Sequence, residues 1–216
     1  LEPRLAMGPA HAMDALSAAG AVPAGASSLL AADGAGQIPV LDPDLCTGCG
    51  ACWSACPDAA IGATALPWET LLDAASAIGG SSGGSADAVR RAHKHLATRL
   101  TKQQGKADPG AVDEAFVADA WAWLAGRMDL ADAARVEHDQ AFAATLEALV
   151  RLGPIATRAL FSGPQAQEAG AGALLVLAFD PRSCLGCGLC VAECPENALL
   201  ATPRTLDVVE AAQSRW

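Results

Sequence analysis

The chain has 216 residues, 52% of them hydrophobic, and a formal net charge of −10. That length suffices for one or two compact domains, and the acidic balance excludes a nucleic-acid surface; it suits a partner with a basic docking patch, and serves solubility equally well. The longest apolar run, Gly172 to Phe179, falls far short of the roughly 20 residues of a membrane-spanning helix, and no charged-then-apolar leader is present.

Residues 1–36 are rich in Ala, Gly and Pro and predict a linker or partial flanking segment, with a short helix over Ala10–Ala19 and a connector from Ala21 to Gly36. His11 and Met13 within it carry no motif. Gln37–Leu41 predicts a strand, and Asp42-Pro43-Asp44 a turn. The run Cys46-Thr47-Gly48-Cys49-Gly50-Ala51-Cys52-Trp53-Ser54-Ala55-Cys56-Pro57 follows, then a helical turn and strand over Ala59–Leu66.

Residues 67–171 predict a mostly helical insertion. Its helices are expected at Trp68–Ile78, from an N-cap at Ser85 to Gln103, from Asp108-Pro109 to Ala125, and from Ala131 to Leu152, the last closed by Gly153-Pro154. The glycines and serines of 79–84 read as a flexible break, and Ile155–Phe161 as a further turn or two. Phe116, Ala120, Trp123 and Leu124 share one helix face, and Phe142, Leu146, Leu149 and Val150 another, as in a bundle that buries both stripes. His93 and His95 sit in a basic segment that reads as a solvated face, with a docking patch for an acidic neighbour as the alternative; His138 reads as a surface residue.

Residues 172–203 repeat the first layout. Leu174–Phe179 is a strand, Asp180-Pro181 a turn, Cys184-Leu185-Gly186-Cys187-Gly188-Leu189-Cys190-Val191-Ala192-Glu193-Cys194-Pro195 a second run, and Ala198–Ala201 a closing strand. A constant offset (184 − 46 = 138) aligns every cysteine, both loop glycines and the Asp-Pro turns. Residues 204–216 begin a flanking helix. The chain starts at Leu1 and stops at Trp216 within a helical pattern, which predicts an excerpt of a longer polypeptide, or else a processed subunit.

All 8 cysteines lie in the two C-x-x-C-x-x-C-x-x-x-C-P runs. Iron is well served by soft anionic thiolates, and this spacing lets one loop hold three corners of a [4Fe–4S] cube while the cysteine before proline ligates the other cluster. That rule assigns Cys46, Cys49, Cys52 and Cys194 to one cluster, and Cys184, Cys187, Cys190 and Cys56 to a second. Gly48, Gly50, Gly186 and Gly188 leave the loops free to bend and aim N–H groups at sulfur, while Pro57 and Pro195 turn the chain out of them. Zinc would need two cysteine pairs rather than this triplet and outlier, and disulfides suit small secreted chains. Trp53 stands where the second run has Val191, and could shield one cluster or simply pack. No phosphate loop, Ser/His/Asp set or H-E-x-x-H motif is present, so the segment alone carries no catalytic residues.

The duplication predicts an α+β fold: a bacterial two-[4Fe–4S] ferredoxin-like core of two pseudo-twofold halves, the first strand of each pairing with the last of the other, plus the helical insertion. Ile38-Pro39-Val40-Leu41-Asp42 followed by the C-T-G-C-G-x-C-W-x-x-C-P-D-x-A-I run resembles the ferredoxin-type domain of pyruvate:ferredoxin (flavodoxin) oxidoreductases, over about residues 37–66 and 172–203. The resemblance implies an electron-relay domain inside a thiamine-diphosphate-dependent 2-oxoacid oxidoreductase of pyruvate metabolism. Thiamine diphosphate, Mg2+ and coenzyme A would be bound outside these residues. Its partners would be other domains of the same polypeptide and an external ferredoxin or flavodoxin, in a homodimer or otherwise, with no membrane involved. Thiolates and iron–sulfur clusters imply the reducing cytoplasm. A free dicluster ferredoxin, or the electron-transfer subunit of another complex, is the alternative; clusters acting only as structural staples are a third reading.

Overall fold

The computed structural model describes residues 36–80, 83–105, 110–129 and 131–216, so the expectations for Ala10–Ala19, Ala21–Gly36, His11, Met13 and Asp108-Pro109 fall largely or wholly outside the described residues. Two duplicated halves carry the cysteine runs. In the first, β1 (Gln37–Leu41) leads through the cysteine loop to α1 (Ala51–Ala55) and β2 (Ile61–Leu66); in the second, β5 (Leu174–Phe179) leads to α7 (Leu189–Ala192) and β6 (Leu199–Pro203). The short helices differ from expectation. They lie inside the cysteine runs, because Gly50 and Gly188 adopt left-handed φ of 87° and 75° at their N-caps and so start a helical turn within the loop. The last strand begins at Leu199 and runs on to Pro203.

The halves clasp each other. β1 pairs antiparallel with β6, in a register from Gln37↔Pro203 to Leu41↔Leu199, and β2 pairs antiparallel with β5 from Ile61↔Phe179 to Leu66↔Leu174. The pseudo-twofold extends to single bonds. Asp42 N–H donates to the Ala198 carbonyl at 2.7 Å, and Asp180 N–H to that of Ala60 at 2.8 Å. The turn aspartates accept from the backbone two residues on, Asp42 Oδ1 from Asp44 at 3.1 Å and Asp180 Oδ1 from Arg182 at 2.9 Å.

Between the halves come α2 (Trp68–Ile78), α3 (Gly84–Gln104), β3 (Gly110–Ala111), α4 (Glu114–Ala125), α5 (Asp132–Leu152), β4 (Ile155–Ala156), a π-helical turn (Arg158–Ser162) and α6 (Gly163–Gln167); α8 (Leu206–Gln213) follows β6. α2, α3 and α5 pack on one another, with α4 against α3 and α5. Leu71, Leu72, Leu96, Leu100 and Leu149 fill the interior, as the 3.6-residue period requires. The same apolar cluster runs on into Leu174 and Val176 of β5. The insertion also joins the sheet itself, whose order is β2-β5-β4-β3.

Several local expectations are corrected. Ser85 does not cap α3: Gly83 holds that position, and Ser85 Oγ donates to Glu137 Oε2 at 3.0 Å. α4 begins at Glu114 because Asp113 provides the N-cap, accepting from Ala115 N–H at 3.0 Å, and Gly110–Ala111 is a strand instead. Trp121, not Trp123, is the buried tryptophan of α4, stacked on Phe142 with ring centroids 4.3 Å apart. Trp123 is exposed between the guanidinium groups of Arg99 and Arg127. On α5, Val150 is exposed, and Thr145 and Ala148 face the core instead. His93 is not on a solvated face: it is 1% exposed, with Nδ1 2.6 Å from Asp73 Oδ1. His138 is half-buried. Residues 155–161 form β4 and enter the π-helical turn rather than an ordinary helix.

Candidate metal centre

The structure gathers the eight cysteines around two cavities. Cys46, Cys49, Cys52 and Cys194 line one, with Trp53, Leu41 and Leu199; Cys56, Cys184, Cys187 and Cys190 line the other, with Val191, Phe179 and Ile61. Each cavity thus takes three sulfurs from one tight loop and a fourth from the other half of the chain. The crossing follows from the strand pairing: β2 and β5, and β1 and β6, carry the cysteine before each proline across to the opposite loop. All eight thiols are free of disulfides. Cys52 and Cys190 are buried on α1 and α7, which pack against each other, while Cys49 and Cys187 are exposed. Among the described residues, no three His, Cys, Asp or Glu side chains converge as ligands to a single metal ion.

Backbone N–H groups point at the sulfurs. Ala60 N–H donates to Cys56 Sγ at 3.3 Å and Ala198 N–H to Cys194 Sγ at 3.2 Å. Gly48, Trp53, Gly186 and Val191 contribute backbone bonds to Cys46, Cys52, Cys184 and Cys190. Ala59 and Asn197 hold left-handed φ of 50° and 53°, which turns the following N–H back toward sulfur. Without a bound cation, the surroundings of Cys46, Cys52, Cys184 and Cys190 favour the protonated thiol. Burial is the largest cause and pushes Cys46, Cys184 and Cys190 up and Cys52 up to about 11, with neighbouring thiols adding to it. Four soft donors per cavity and N–H groups aimed at sulfur fit a cuboidal iron–sulfur cluster, whose irons take thiolates at the corners.

Residues 39–62 and 177–200 each match the family of 4Fe-4S binding domains. The two matches support a two-cluster, ferredoxin-type arrangement and iron–sulfur electron transfer. No curated protein and no solved structure matches the chain. Among the described residues, no helix is long and apolar enough to cross a membrane.

The surroundings of the two sites are unequal. The insertion covers the first loop: a side chain at Gly48 would lie 3.2 Å from Thr157 Oγ1 and 3.4 Å from Leu160 Cδ1, and Asp44 Oδ1 accepts from Ala111 N–H at 3.1 Å. The second loop is tied instead by Gln37, whose Nε2 donates to the Gly186 carbonyl at 3.1 Å, and by Arg204, whose guanidinium donates to the Cys184 carbonyl at 3.3 Å and to that of Pro181. Motif spacing points to none of Gln37, Thr157, Leu160 or Arg204. Gln37 and Arg204 had a usable signal, since the internal repeat sets each opposite a leucine, Leu175 (37 + 138 = 175) and Leu66 (204 − 138 = 66).

Proposed function

We propose that this chain relays single electrons through two [4Fe–4S] clusters, one held by Cys46, Cys49, Cys52 and Cys194 and the other by Cys184, Cys187, Cys190 and Cys56. The observation that carries this reading is the convergence of two crossed sets of four thiols on two cavities within the segments that match 4Fe-4S binding domains. When bound, each cluster supplies reversible one-electron chemistry. The chain's own residues do the rest. The thiolates anchor the irons, N–H groups of Ala60 and Ala198 stabilise charge on the crossing sulfurs, and Leu41, Phe179 and Leu199 keep water from the cavity walls. Cys52 and Cys190, buried on touching helices, provide the short route between the sites.

At finer grain, we propose that the relay serves a 2-oxoacid:ferredoxin oxidoreductase of the pyruvate type, delivering electrons to a ferredoxin or flavodoxin. The Ile38–Asp42 lead-in and the first cysteine run support this. A free dicluster ferredoxin, or the electron-transfer subunit of another redox complex, is the competing reading. Anaerobically purified protein should contain about eight irons and eight acid-labile sulfides, as two four-iron clusters require, and dithionite should bleach its visible absorbance. Zinc, or no metal, would end the relay reading. The finer one is tested on the natural full-length polypeptide: a 2-oxoacid with coenzyme A should bleach the same absorbance, and failure to do so while dithionite succeeds would leave a free ferredoxin or the electron-transfer subunit of another complex.

A further inference from the structure

The pseudo-twofold makes the two sites nearly interchangeable, so the residues that break it single out what differs between them. Each cavity has a carboxylate residue in its wall at matched positions, Asp58 at the second and Glu196 at the first (58 + 138 = 196), so their fields offset each other in any comparison. Arg204 has no such counterweight. Its guanidinium is fixed on the Cys184 and Pro181 carbonyls, within the loop that carries three thiols of the second site, whereas the matching residue of the first half is the apolar Leu66. Two further differences act in the same sense. Trp53 lines the first cavity where the smaller Val191 lines the second, and Thr157 and Leu160 of the insertion close over Gly48.

We propose that Arg204 makes the second site the higher in reduction potential, so that a single electron entering the chain comes to rest on the cluster held by Cys184, Cys187, Cys190 and Cys56. The proposal deepens the relay reading and rests on it. Reduction adds one negative charge to a cluster and its thiolates. A fixed cation stabilises that charge, while exclusion of water by an indole and a covering turn disfavours it. With clusters bound at both sites, one electron would pass from the group held by Cys46, Cys49, Cys52 and Cys194 to the group held by Cys184, Cys187, Cys190 and Cys56, with no bond made or broken and no proton carried. Arg204 is a positioning residue here: it acts through the loop and through its charge, not by touching a reacting atom.

The test uses the anaerobic two-cluster protein with 13C-labelled cysteine Cβ, each resonance assigned by residue. In the one-electron-reduced sample, the reduced-state shifts should appear on Cys184, Cys187, Cys190 and Cys56. Arg204→Gln should lower the midpoint potential of that cluster alone and move electron density toward the first set. Arg204→Lys, which keeps the charge and loses the forked geometry, should retain most of the wild-type distribution. An electron resting on the Cys46, Cys49, Cys52 and Cys194 set, or shared evenly, overturns the proposal and leaves the relay intact. So does an Arg204→Gln variant whose two potentials match the wild type. Protein without reducible clusters overturns the relay reading and this one together.

Discussion

Ala59 and Asn197 occupy the same turn in the two halves, both at left-handed φ, yet only asparagine tolerates that region well. Ala59 is exposed, so its side chain has little packing to lose. Replacing it with glycine removes roughly 1–2 kcal/mol of left-handed strain and adds about 0.5–1 kcal/mol of backbone entropy cost. Ala59→Gly should therefore stabilise the protein by about 0.5–1 kcal/mol, read as a higher urea midpoint; a lower midpoint would show that the alanine is not strained. The thiols make a second prediction. Burial raises the folded pKa of Cys46, Cys52, Cys184 and Cys190 above the ordinary value of 9.0, that of Cys52 to about 11. In the cluster-free protein the stability linked to these protons is complete below the unfolded value and disappears as pH climbs through the folded one. Chemical denaturation of reduced, cluster-free protein should show stability falling between about pH 9 and pH 11, less steeply in Cys52→Ala; a wild type and variant with the same slope would contradict it.

At the level of elements, the crossed strands make the sharpest prediction. Because Cys56 lines the cavity of the second loop, Cys56→Ala should damage the cluster held by Cys184, Cys187 and Cys190 and spare the other, as read by assigned cysteine resonances. Loss of the first loop's cluster instead would refute crossed ligation. In the insertion, Trp121 stacks on Phe142, and its indole N–H donates to Asp139 Oδ1 at 2.8 Å, locking α4 to α5. Trp121→Ala should cost about 3–5 kcal/mol, seen in a thermal or urea melt, whereas Trp123→Ala should cost far less because that ring is exposed. Here the limits of sequence are physical. α2 (Trp68–Ile78), β1 (Gln37–Leu41) and β5 (Leu174–Phe179) were legible residue for residue, since apolar period and flanking Pro or Asp agree. Trp121 and Trp123 could not be told apart, because α4 is apolar nearly all round and only the neighbouring helix decides which face is inward. The two-residue strands β3 and β4 have too few side chains to show a period at all.

For the whole molecule, the duplicated motif marks which thiols can share a site, but it carries no sign of the inequality of the two sites. That inequality arises where Thr157, Leu160 and Ala111 meet the first loop and Arg204 meets the second, contacts between residues 67 to 112 positions or only 20 apart that no spacing rule reaches. The insertion is accordingly more than a spacer between motifs: it extends the sheet through β4 and β3 and roofs one site while leaving the other loop to Gln37 and Arg204. The pairing of β1 with β6 has a further consequence for how the protein is made. Gln37 finds its partner only at Pro203, so during synthesis the amino-terminal cysteine loop leaves the ribosome long before the strand and the fourth sulfur that complete its cavity. The helices between lie wholly upstream of β5 and can begin to pack on one another first. Iron and sulfide delivered to the nascent chain would meet a half-built nest, so maturation of either centre must wait for translation to pass the last strand.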